Sequence, residues 1–95
     1  MSKIACASHI LLKTESEAFR AKTRLSKGEN FAKLAKTLSQ CPSAKRGGDL
    51  GEFRKGKMLP PFDKAVFTKG SENKKIIGPV KTKAGYHLIQ VLYKL

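Results

Sequence analysis

The sequence has few of the residues that build covalent or metal-stabilised frameworks. Two cysteines in 95 residues are too few for a disulfide scaffold. No pair of Cys or His residues has the spacing of zinc ligands, and we expect neither a metal nor another cofactor. Cys6 lies in an apolar segment and is expected to be a small buried residue. Cys41 begins a loop and is considered below with the site.

Long apolar runs are also missing. No run approaches the roughly 20 residues that cross a bilayer, so we expect no membrane partner. The apolar segment 4–12 contains His9 and lacks both a charged leader and a clear cleavage site, which argues against a secretory signal. The hydrophobic content of 40% is enough for one modest core. We therefore expect a single domain over residues 1–95 and a cytoplasmic location.

Acidic residues are scarce. The chain has 20 Lys and Arg against 7 Asp and Glu, a net charge of +13, which attracts polyanions. However, the basic residues are spread along the whole chain, and it lacks interleaved aromatic residues suited to stacking on bases. We expect a solvated basic surface. Weak electrostatic binding to nucleic acid or ribosomes stays open as an alternative.

The apolar patterns predict four strands and three helices. Residues 3–12 are apolar on both faces, as in a strand inside a covered sheet. Thr14 and Glu17 have the spacing of a capping box, and Asn30 can cap a second helix. The remaining predictions are an irregular loop around Pro42 and Gly47, a strand over 49–54, a helix opened by Pro60 and Pro61, a strand over 76–80, a hairpin over 81–85 and a strand over 86–92. The order β-α-α-β-α-β-β indicates an α+β domain with helices packed around a small sheet.

The segment from Cys41 to Phe62 is the most informative part of the chain. It combines a thiol, a glycine-rich turn and three apolar anchors, Leu50, Met58 and Phe62. The only two histidines, His9 and His87, lie in strand-like segments near opposite ends of the sequence. A folded domain that brings these groups together would form one apolar pocket with a weakly polar lining. Such a pocket suits a small apolar ligand, and proline is the leading candidate.

Seven segments, in this order along the chain, carry a family resemblance: SHILLK (8–13), FAKLA (31–35), GGDLGEF (47–53), GKMLPPF (56–62), AVF (65–67), GPVKT (78–82) and GYHLI (85–89). Together they resemble the parvulin-type peptidyl-prolyl cis/trans isomerases, and above all the small, free-standing bacterial members. The resemblance covers nearly the whole chain. It implies a four-stranded antiparallel sheet surrounded by helices, and isomerisation of Xaa-Pro bonds without a cofactor.

The resemblance also implies the site residues. His9 and His87 would stand close together under the active site, with the Thr82 hydroxyl near them. Cys41 falls on a central polar position that is Cys in some members of the family and Asp in others. The proline pocket would consist of Leu50, Met58 and Phe62.

One departure from the family concerns phosphate. Phosphoserine-directed relatives carry an arginine-rich insertion after the first strand, whereas here Lys13 leads directly into a short acidic segment, 14–17. We therefore expect isomerisation that does not require phosphate before the proline. Ala84 also stands where some relatives have Ser, which removes one polar contact from the hairpin.

The expected chemistry is non-covalent. We interpret the two histidines and Thr82 as groups that hold the pocket floor and position Cys41. For Cys41 an electrostatic or hydrogen-bonding role is favoured, while a nucleophilic role and simple packing stay open. The expected partners are proline-containing peptides and unfolded or flexible protein segments, and a monomer is expected. The alternatives are a non-catalytic module that binds proline-containing segments, and a basic nucleic-acid-binding or ribosome-associated protein.

Overall fold

An antiparallel sheet holds both histidines in its central strands. In the computed structural model, which describes residues 3–72 and 75–95, the elements are β1 (Ile4–Leu12), α1 (Glu15–Ser26), α2 (Phe31–Leu38), a 3-10 helix (Pro42–Arg46), β2 (Asp49–Arg54), α3 (Pro60–Phe67), β3 (Ile77–Thr82) and β4 (Gly85–Lys94). The strand order is β2-β1-β4-β3, and every neighbouring pair is antiparallel. The α+β class and the predicted order of strands and helices are confirmed. The 3-10 helix occupies the segment predicted as an irregular loop.

Both faces of the sheet are covered, as the apolar pattern of β1 predicts. On one face Ile10 and Leu12 of β1 and Leu88 of β4 pack against buried residues of α1 and α2, which are Ala18, Ala21, Leu34 and Ala35. On the other face Ala5 and Ala7 of β1 pack against α3 through Phe62 and Val66. Successive residues of a strand point to opposite faces, so β1 contributes to both cores. Within the described ranges, no helix has the length and apolar character needed to cross a bilayer.

The predicted helix starts are confirmed by side-chain hydrogen bonds. Thr14 Oγ1 accepts a hydrogen bond from the Glu17 backbone N–H at 3.1 Å, at the start of α1. Asn30 Oδ1 accepts one from the Lys33 N–H at 3.0 Å, at the start of α2. Both bonds satisfy N–H groups that lack a partner in the first turn of a helix.

The hairpin between β3 and β4 is tighter than predicted. Thr82 pairs with Gly85 and Lys81 pairs with Tyr86, so only Lys83 and Ala84 remain in the turn. Both strands therefore extend into the predicted hairpin over 81–85, and β4 also continues to Lys94 beside β1. The strands are longer than predicted because these residues pair with a neighbouring strand, and the lysine-rich local sequence gives no sign of that pairing.

Gly48 lets the turn after the 3-10 helix approach β1 at the level of His9. Its φ of +85° lies in the region that L residues rarely adopt. Its carbonyl oxygen accepts a hydrogen bond from the His9 backbone N–H at 3.0 Å. A Cβ at this position would clash with the His9 carbonyl oxygen. The absence of a side chain at Gly48 therefore helps to place the strand that carries His9.

We predict that Gly48→Ala destabilises the protein far more than Gly51→Ala. Both glycines have positive φ, and a residue with a Cβ costs about 1–2 kcal/mol there. A Cβ on Gly51 meets nothing within 4 Å, whereas one on Gly48 adds a backbone clash that we expect to cost roughly 1–3 kcal/mol more. Urea unfolding of the two variants measures the difference. Equal unfolding midpoints would contradict this account of Gly48.

Candidate active site

The two histidines form a hydrogen-bonded pair on the face of the sheet that packs against α3. In the β1–β4 register His9 lies opposite Ile89 and Leu11 lies opposite His87, so the histidines are diagonal neighbours on one face. Their Nδ1 atoms are 2.9 Å apart, and their rings stack at a centroid distance of 5.1 Å. Their exposed fractions are only 5% for His9 and 4% for His87. The structure thus brings together two residues that are 78 positions apart in the sequence.

Thr82 fixes the far side of the pair. Its Oγ1 lies 2.6 Å from His87 Nε2 and also accepts a hydrogen bond from the Ala84 backbone N–H at 3.1 Å. A neutral imidazole has one N–H, so the hydrogen bonds that link Thr82, His87 and His9 can run in either of two directions. If Thr82 donates to His87 and His87 donates to His9, the remaining proton of His9 is on Nε2, which is then a donor. If the direction is reversed, His9 Nε2 is an acceptor. Among the residues that the structure describes, this buried atom has no hydrogen-bond partner.

Burial keeps both imidazoles neutral. Removal from water, and to a smaller extent the neighbouring His87, together lower the pKa of His9 to about 4. Burial also lowers the pKa of His87 to about 4. At neutral pH the pair therefore acts through hydrogen bonds between uncharged rings. The predicted role of the pair in holding the pocket floor stays a prediction.

A small apolar pocket lies directly above the pair. Its cavity volume is about 180 Å³, and it is lined by His9, Cys41, Leu50, Met58, Leu59, Phe62 and His87. Pockets that bury a drug-sized ligand have roughly 300–1,000 Å³, so this one suits a single small apolar ring. Six of the seven predicted site residues line it, and Thr82 supports it from behind through His87.

Phe62 stands edge-on to both imidazoles. The ring centroids are 5.5 Å apart for His9 and 5.2 Å apart for His87, with interplanar angles of 82° and 79°. Such edge-to-face contacts are favoured by the charge distribution of aromatic rings. Phe62 belongs to the first turn of α3, and the core formed with Val66 holds that helix against the sheet. The aromatic wall of the pocket is therefore rigidly placed.

Cys41 is placed by Ser39, a residue that the sequence analysis did not single out. Ser39 Oγ accepts hydrogen bonds from the backbone N–H of Leu11 at 2.9 Å and, at a longer 3.4 Å, from that of Cys41. This hydroxyl ties the segment before the 3-10 helix to β1. The described hydrogen bonds of the Cys41 backbone are the one from its N–H to Ser39 Oγ and the one that its carbonyl oxygen accepts from the Ala44 N–H at 2.9 Å. Positioning of Cys41 by the histidines and Thr82 stays a prediction. The Cys41 residue is half-buried and its thiol is free.

Leu59 is the other site residue that sequence reasoning missed. It lines the pocket between Met58 and the prolines that open α3. The only signal was its place inside the segment GKMLPPF. No group of three or more His, Cys, Asp or Glu side chains that could hold a metal ion occurs in residues 3–72 and 75–95.

Comparison with known proteins agrees with this geometry. The PPIC-type PPIASE domain, a rotamase, matches residues 9–92. The foldase protein PrsA of Geobacillus sp. (strain WCH70) is 52% identical over 89 residues, which cover 93% of this chain and 32% of that protein. PrsA of Exiguobacterium sibiricum is 51% identical over 86 residues, covering 90% of this chain and 28% of that protein. The chain thus spans about a third of the length of these relatives or less.

Solved structures show the same fold. The crystal structure of PrsA from Bacillus anthracis superposes with a TM-score of 0.92 at 39% identity, covering 99% of this chain and 43% of that one. The solution structure of NmPin, the parvulin of Nitrosopumilus maritimus, superposes with a TM-score of 0.83 at 40% identity, covering 98% of this chain and 99% of that one.

The sheet, its helices and the pocket above the histidine pair define a parvulin-type isomerase domain. With 84 of its 95 positions inside the matched range 9–92, the chain belongs to the PPIC-type peptidyl-prolyl isomerase family. The predicted family and enzyme class are confirmed.

We predict that the protein loses stability as the pH falls from 7 to 5. The unfolded chain binds protons at its histidines near pH 6.5, whereas the folded pair, with pKa values of about 4, does not. Stability is therefore complete above about pH 6.5 and falls with a limiting slope of roughly 1.4 kcal/mol per pH unit for each histidine. Urea unfolding at half-unit pH steps measures this slope.

The matched control for this slope is His87→Phe, which keeps a ring in the pocket floor but has no titratable group. The variant should show about half of the wild-type slope between pH 7 and pH 5. A wild-type stability that does not change over this range would contradict the burial of two neutral imidazoles.

Proposed function

We propose that this protein catalyses rotation about Xaa-Pro peptide bonds in peptides and in unfolded or flexible protein segments, without a cofactor and without a phosphate requirement. The observation that carries this proposal is the pocket of about 180 Å³ in which Phe62 stands across a neutral histidine pair, beside Cys41. The pocket has the size and apolar lining for a proline ring.

The chemistry requires only that the barrier to rotation is lowered. An amide C–N bond has a rotation barrier of about 18–20 kcal/mol, while cis and trans Xaa-Pro differ by only about 0.5–1 kcal/mol. In the twisted transition state the carbonyl loses conjugation with the nitrogen and becomes less dipolar. An apolar pocket that grips the ring favours this state over the planar isomers. Leu50, Met58 and Phe62 provide the apolar grip, since Met58 adapts its shape and Phe62 offers a fixed ring.

The polar groups of the pocket have a separate role in this proposal. Thr82, His87 and His9 form a floor whose orientation is set by buried hydrogen bonds. His9 Nε2, at the end of this chain of hydrogen bonds, is buried and has no hydrogen-bond partner among the described residues. A module that only binds proline would need the apolar walls but not this buried polar chain. The polar floor therefore favours catalysis over simple binding.

The choice of protein segments as substrates is supported by the relatives. Those with 51% and 52% identity are named foldase proteins, and a structural neighbour from Campylobacter jejuni is described as a SurA-like chaperone. Since this chain spans a third or less of the foldases, clients of the whole protein are part of the proposal. A cytoplasmic location, a monomeric state and weak nucleic-acid binding stay predictions.

Proline cis/trans exchange measured by NMR tests the proposal on peptides with Leu, Glu, Lys or phosphoserine before the proline. We expect faster exchange than in buffer for Leu-Pro and no advantage for phosphoserine. Exchange no faster than in buffer on every peptide would contradict catalysis, and a line-width change without exchange would point to a binding module. A requirement for phosphoserine would contradict the phosphate-independent part of the proposal.

Met58→Ala should lower kcat/KM about tenfold, which corresponds to roughly 1.4 kcal/mol of lost transition-state contact. The matched control is Phe19→Ala. Phe19 is a large apolar residue of α1 that is 52% exposed and does not line the pocket. The same exchange measurement should give wild-type rates for this control. Equal rates for Met58→Ala and wild type would contradict the proposed contact of Met58 with the proline ring.

Substitutions of Cys41 separate the three roles that stay open for its thiol. A hydrogen-bonding or electrostatic role predicts that Cys41→Asp and Cys41→Ser keep kcat/KM within about tenfold of wild type, while Cys41→Ala loses more. A nucleophile predicts that Asp, Ser and Ala all abolish exchange while the fold is intact. Packing alone predicts that Ala is tolerated best. Exchange rates and far-ultraviolet circular dichroism of the three variants decide among these outcomes.

A further inference from the structure

The edge of β1 that faces β2 changes its hydrogen-bond partners at the level of the pocket. β2 pairs with β1 as far as Ser8. Beyond this point the His9 N–H donates to the Gly48 carbonyl oxygen at 3.0 Å. Alternate residues of a strand point their backbone groups to the same edge, so the next residue that needs partners there is Leu11. Its partners come from the segment 39–41, which links α2 to the 3-10 helix.

Ser39 and Gln40 take the place of a neighbouring strand at this edge. The Leu11 N–H donates to Ser39 Oγ at 2.9 Å, and the Leu11 carbonyl oxygen accepts from the Gln40 N–H at 2.8 Å. A side-chain hydroxyl thus accepts the hydrogen bond that a backbone carbonyl oxygen accepts in a sheet. Leu11 lies opposite His87 in the β1–β4 register. The segment 39–41 is therefore tied to the sheet beside one of the two histidines of the pocket floor.

Neither helix capping nor core packing accounts for the Ser39 hydroxyl. Ser39 ends α2 through its backbone N–H, which donates to the Ala35 carbonyl oxygen at 2.9 Å. The residue is half-buried and belongs to neither apolar core. Besides the bond from Leu11, Ser39 Oγ accepts the longer bond of 3.4 Å from the Cys41 N–H. The hydroxyl therefore joins β1 to the residue that carries the pocket thiol.

On its C-terminal side, Cys41 is held by the 3-10 helix. Pro42 restricts the preceding residue to extended conformations, and Cys41 has φ −88° and ψ 144°. Its carbonyl oxygen accepts a hydrogen bond from the Ala44 N–H at 2.9 Å. The thiol makes no capping hydrogen bond to that helix, and Cys41 lines the pocket instead. On the N-terminal side, the described bonds that link the segment to β1 are those of Ser39 and Gln40.

We propose that Ser39 is a positioning residue of the isomerase, whose hydroxyl fixes the Cys41 thiol relative to the histidine pair by anchoring the segment 39–41 to Leu11. This inference rests on the proposed isomerase function. A catalytic group that is misplaced by about 1 Å can cost roughly 100-fold in rate. The bond from Gln40 remains when the Ser39 hydroxyl is removed, which limits the displacement. We therefore expect a loss of about tenfold.

The loss should fall on kcat and spare KM. The apolar grip on the proline ring comes from Leu50 in β2, Phe62 in α3 and Met58 between these elements. Ser39 does not line the pocket. A group that acts only on the transition state lowers kcat and kcat/KM equally, so KM should stay within about twofold of wild type.

The experiment compares four forms of the full chain: wild type, Ser39→Ala, Ser39→Thr and Ser26→Ala. Threonine keeps the hydroxyl that alanine removes. Ser26→Ala is the matched control, because the Ser26 hydroxyl donates to the Thr23 carbonyl oxygen at 2.6 Å on exposed α1 surface and does not line the pocket. NMR exchange at increasing concentrations of a Leu-Pro peptide gives kcat and KM, and urea unfolding gives the stability of each protein.

A second measurement reports on the thiol without catalysis. Each protein is treated with iodoacetamide, and mass spectrometry of the fragment that contains residue 41 gives the alkylation rate of Cys41. The fragment separates this rate from that of Cys6, which is 8% exposed. A thiol that has moved relative to its surroundings changes its reactivity. A hydroxyl that only stabilises the fold would leave this rate unchanged in protein that is fully folded.

We expect Ser39→Ala to lower kcat about tenfold and to change the alkylation rate of Cys41 by about threefold or more. Ser39→Thr should restore most of both values, and Ser26→Ala should match wild type. If Ser39→Ala does not fold, Ser39→Cys gives the same test, because a thiol of similar shape is a weaker acceptor. We then expect an intermediate loss of kcat, and an unchanged kcat would overturn the proposal.

Three results would overturn the positioning role and leave the isomerase function standing. The first is a Ser39→Ala protein that is less stable but keeps the wild-type kcat and alkylation rate, which would assign the hydroxyl to stability alone. The second is a lower kcat that Ser39→Thr does not restore. The third is a lower kcat without any change at Cys41. Wild-type protein that accelerates no peptide would overturn the isomerase function, while the alkylation rates would still decide whether Ser39 places Cys41.

Discussion

The antiparallel pairing of β1 with β4 is the constraint on which the site depends. It places His9 and His87 as diagonal neighbours on one face, close enough for a hydrogen bond of 2.9 Å. Side chains alternate between faces, so a slip of one residue would move His87 to the face covered by α1 and α2. The same slip would turn Leu88 out of its core. The apolar packing on both faces therefore fixes the register that the histidine pair needs.

Thr82, His87 and His9 are buried under the pocket, and hydrogen bonds replace the lost contacts with water for only some of their polar atoms. Thr82 and His87 have hydrogen-bond partners on the sheet and in the hairpin, whereas His9 Nε2 has none among the described residues. Buried polar atoms without partners are costly, and they concentrate where a protein binds something. Leu59 shows the same tendency, since it leaves α3 without a side-chain cap at the pocket rim. Two locally unfavourable choices, the unpartnered His9 Nε2 and the uncapped start of α3, thus lie at the same pocket.

The large positive charge is separate from this chemistry. Several of the few acidic side chains are engaged in local structure: Glu29 pairs with Arg24, Glu72 pairs with Lys94, and Asp63 accepts a hydrogen bond from the Gly56 N–H at 2.6 Å. The basic residues greatly outnumber them, with 20 Lys and Arg against 7 Asp and Glu. The pocket itself is lined by apolar residues, a thiol and neutral imidazoles. The strongly basic composition of the chain thus differs in kind from the lining of the pocket.

The fold class and the helix starts at Thr14 and Asn30 could be predicted from the sequence, because caps and apolar periodicity act over a few residues. The family resemblance, carried by seven segments in order along the chain, implied six of the residues that line the pocket. The hydrogen bonds that support the site depend on tertiary contacts and could not be predicted in this way. Ser39 acts through a hydrogen bond to Leu11, 28 positions away in the sequence, and Thr82 joins the strand only through its pairing with Gly85. Contacts between distant segments have no local signature. For the same reason, the position of Leu59, partly exposed and beside the pocket, could not be predicted, since it depends on the packing of α3 against the sheet.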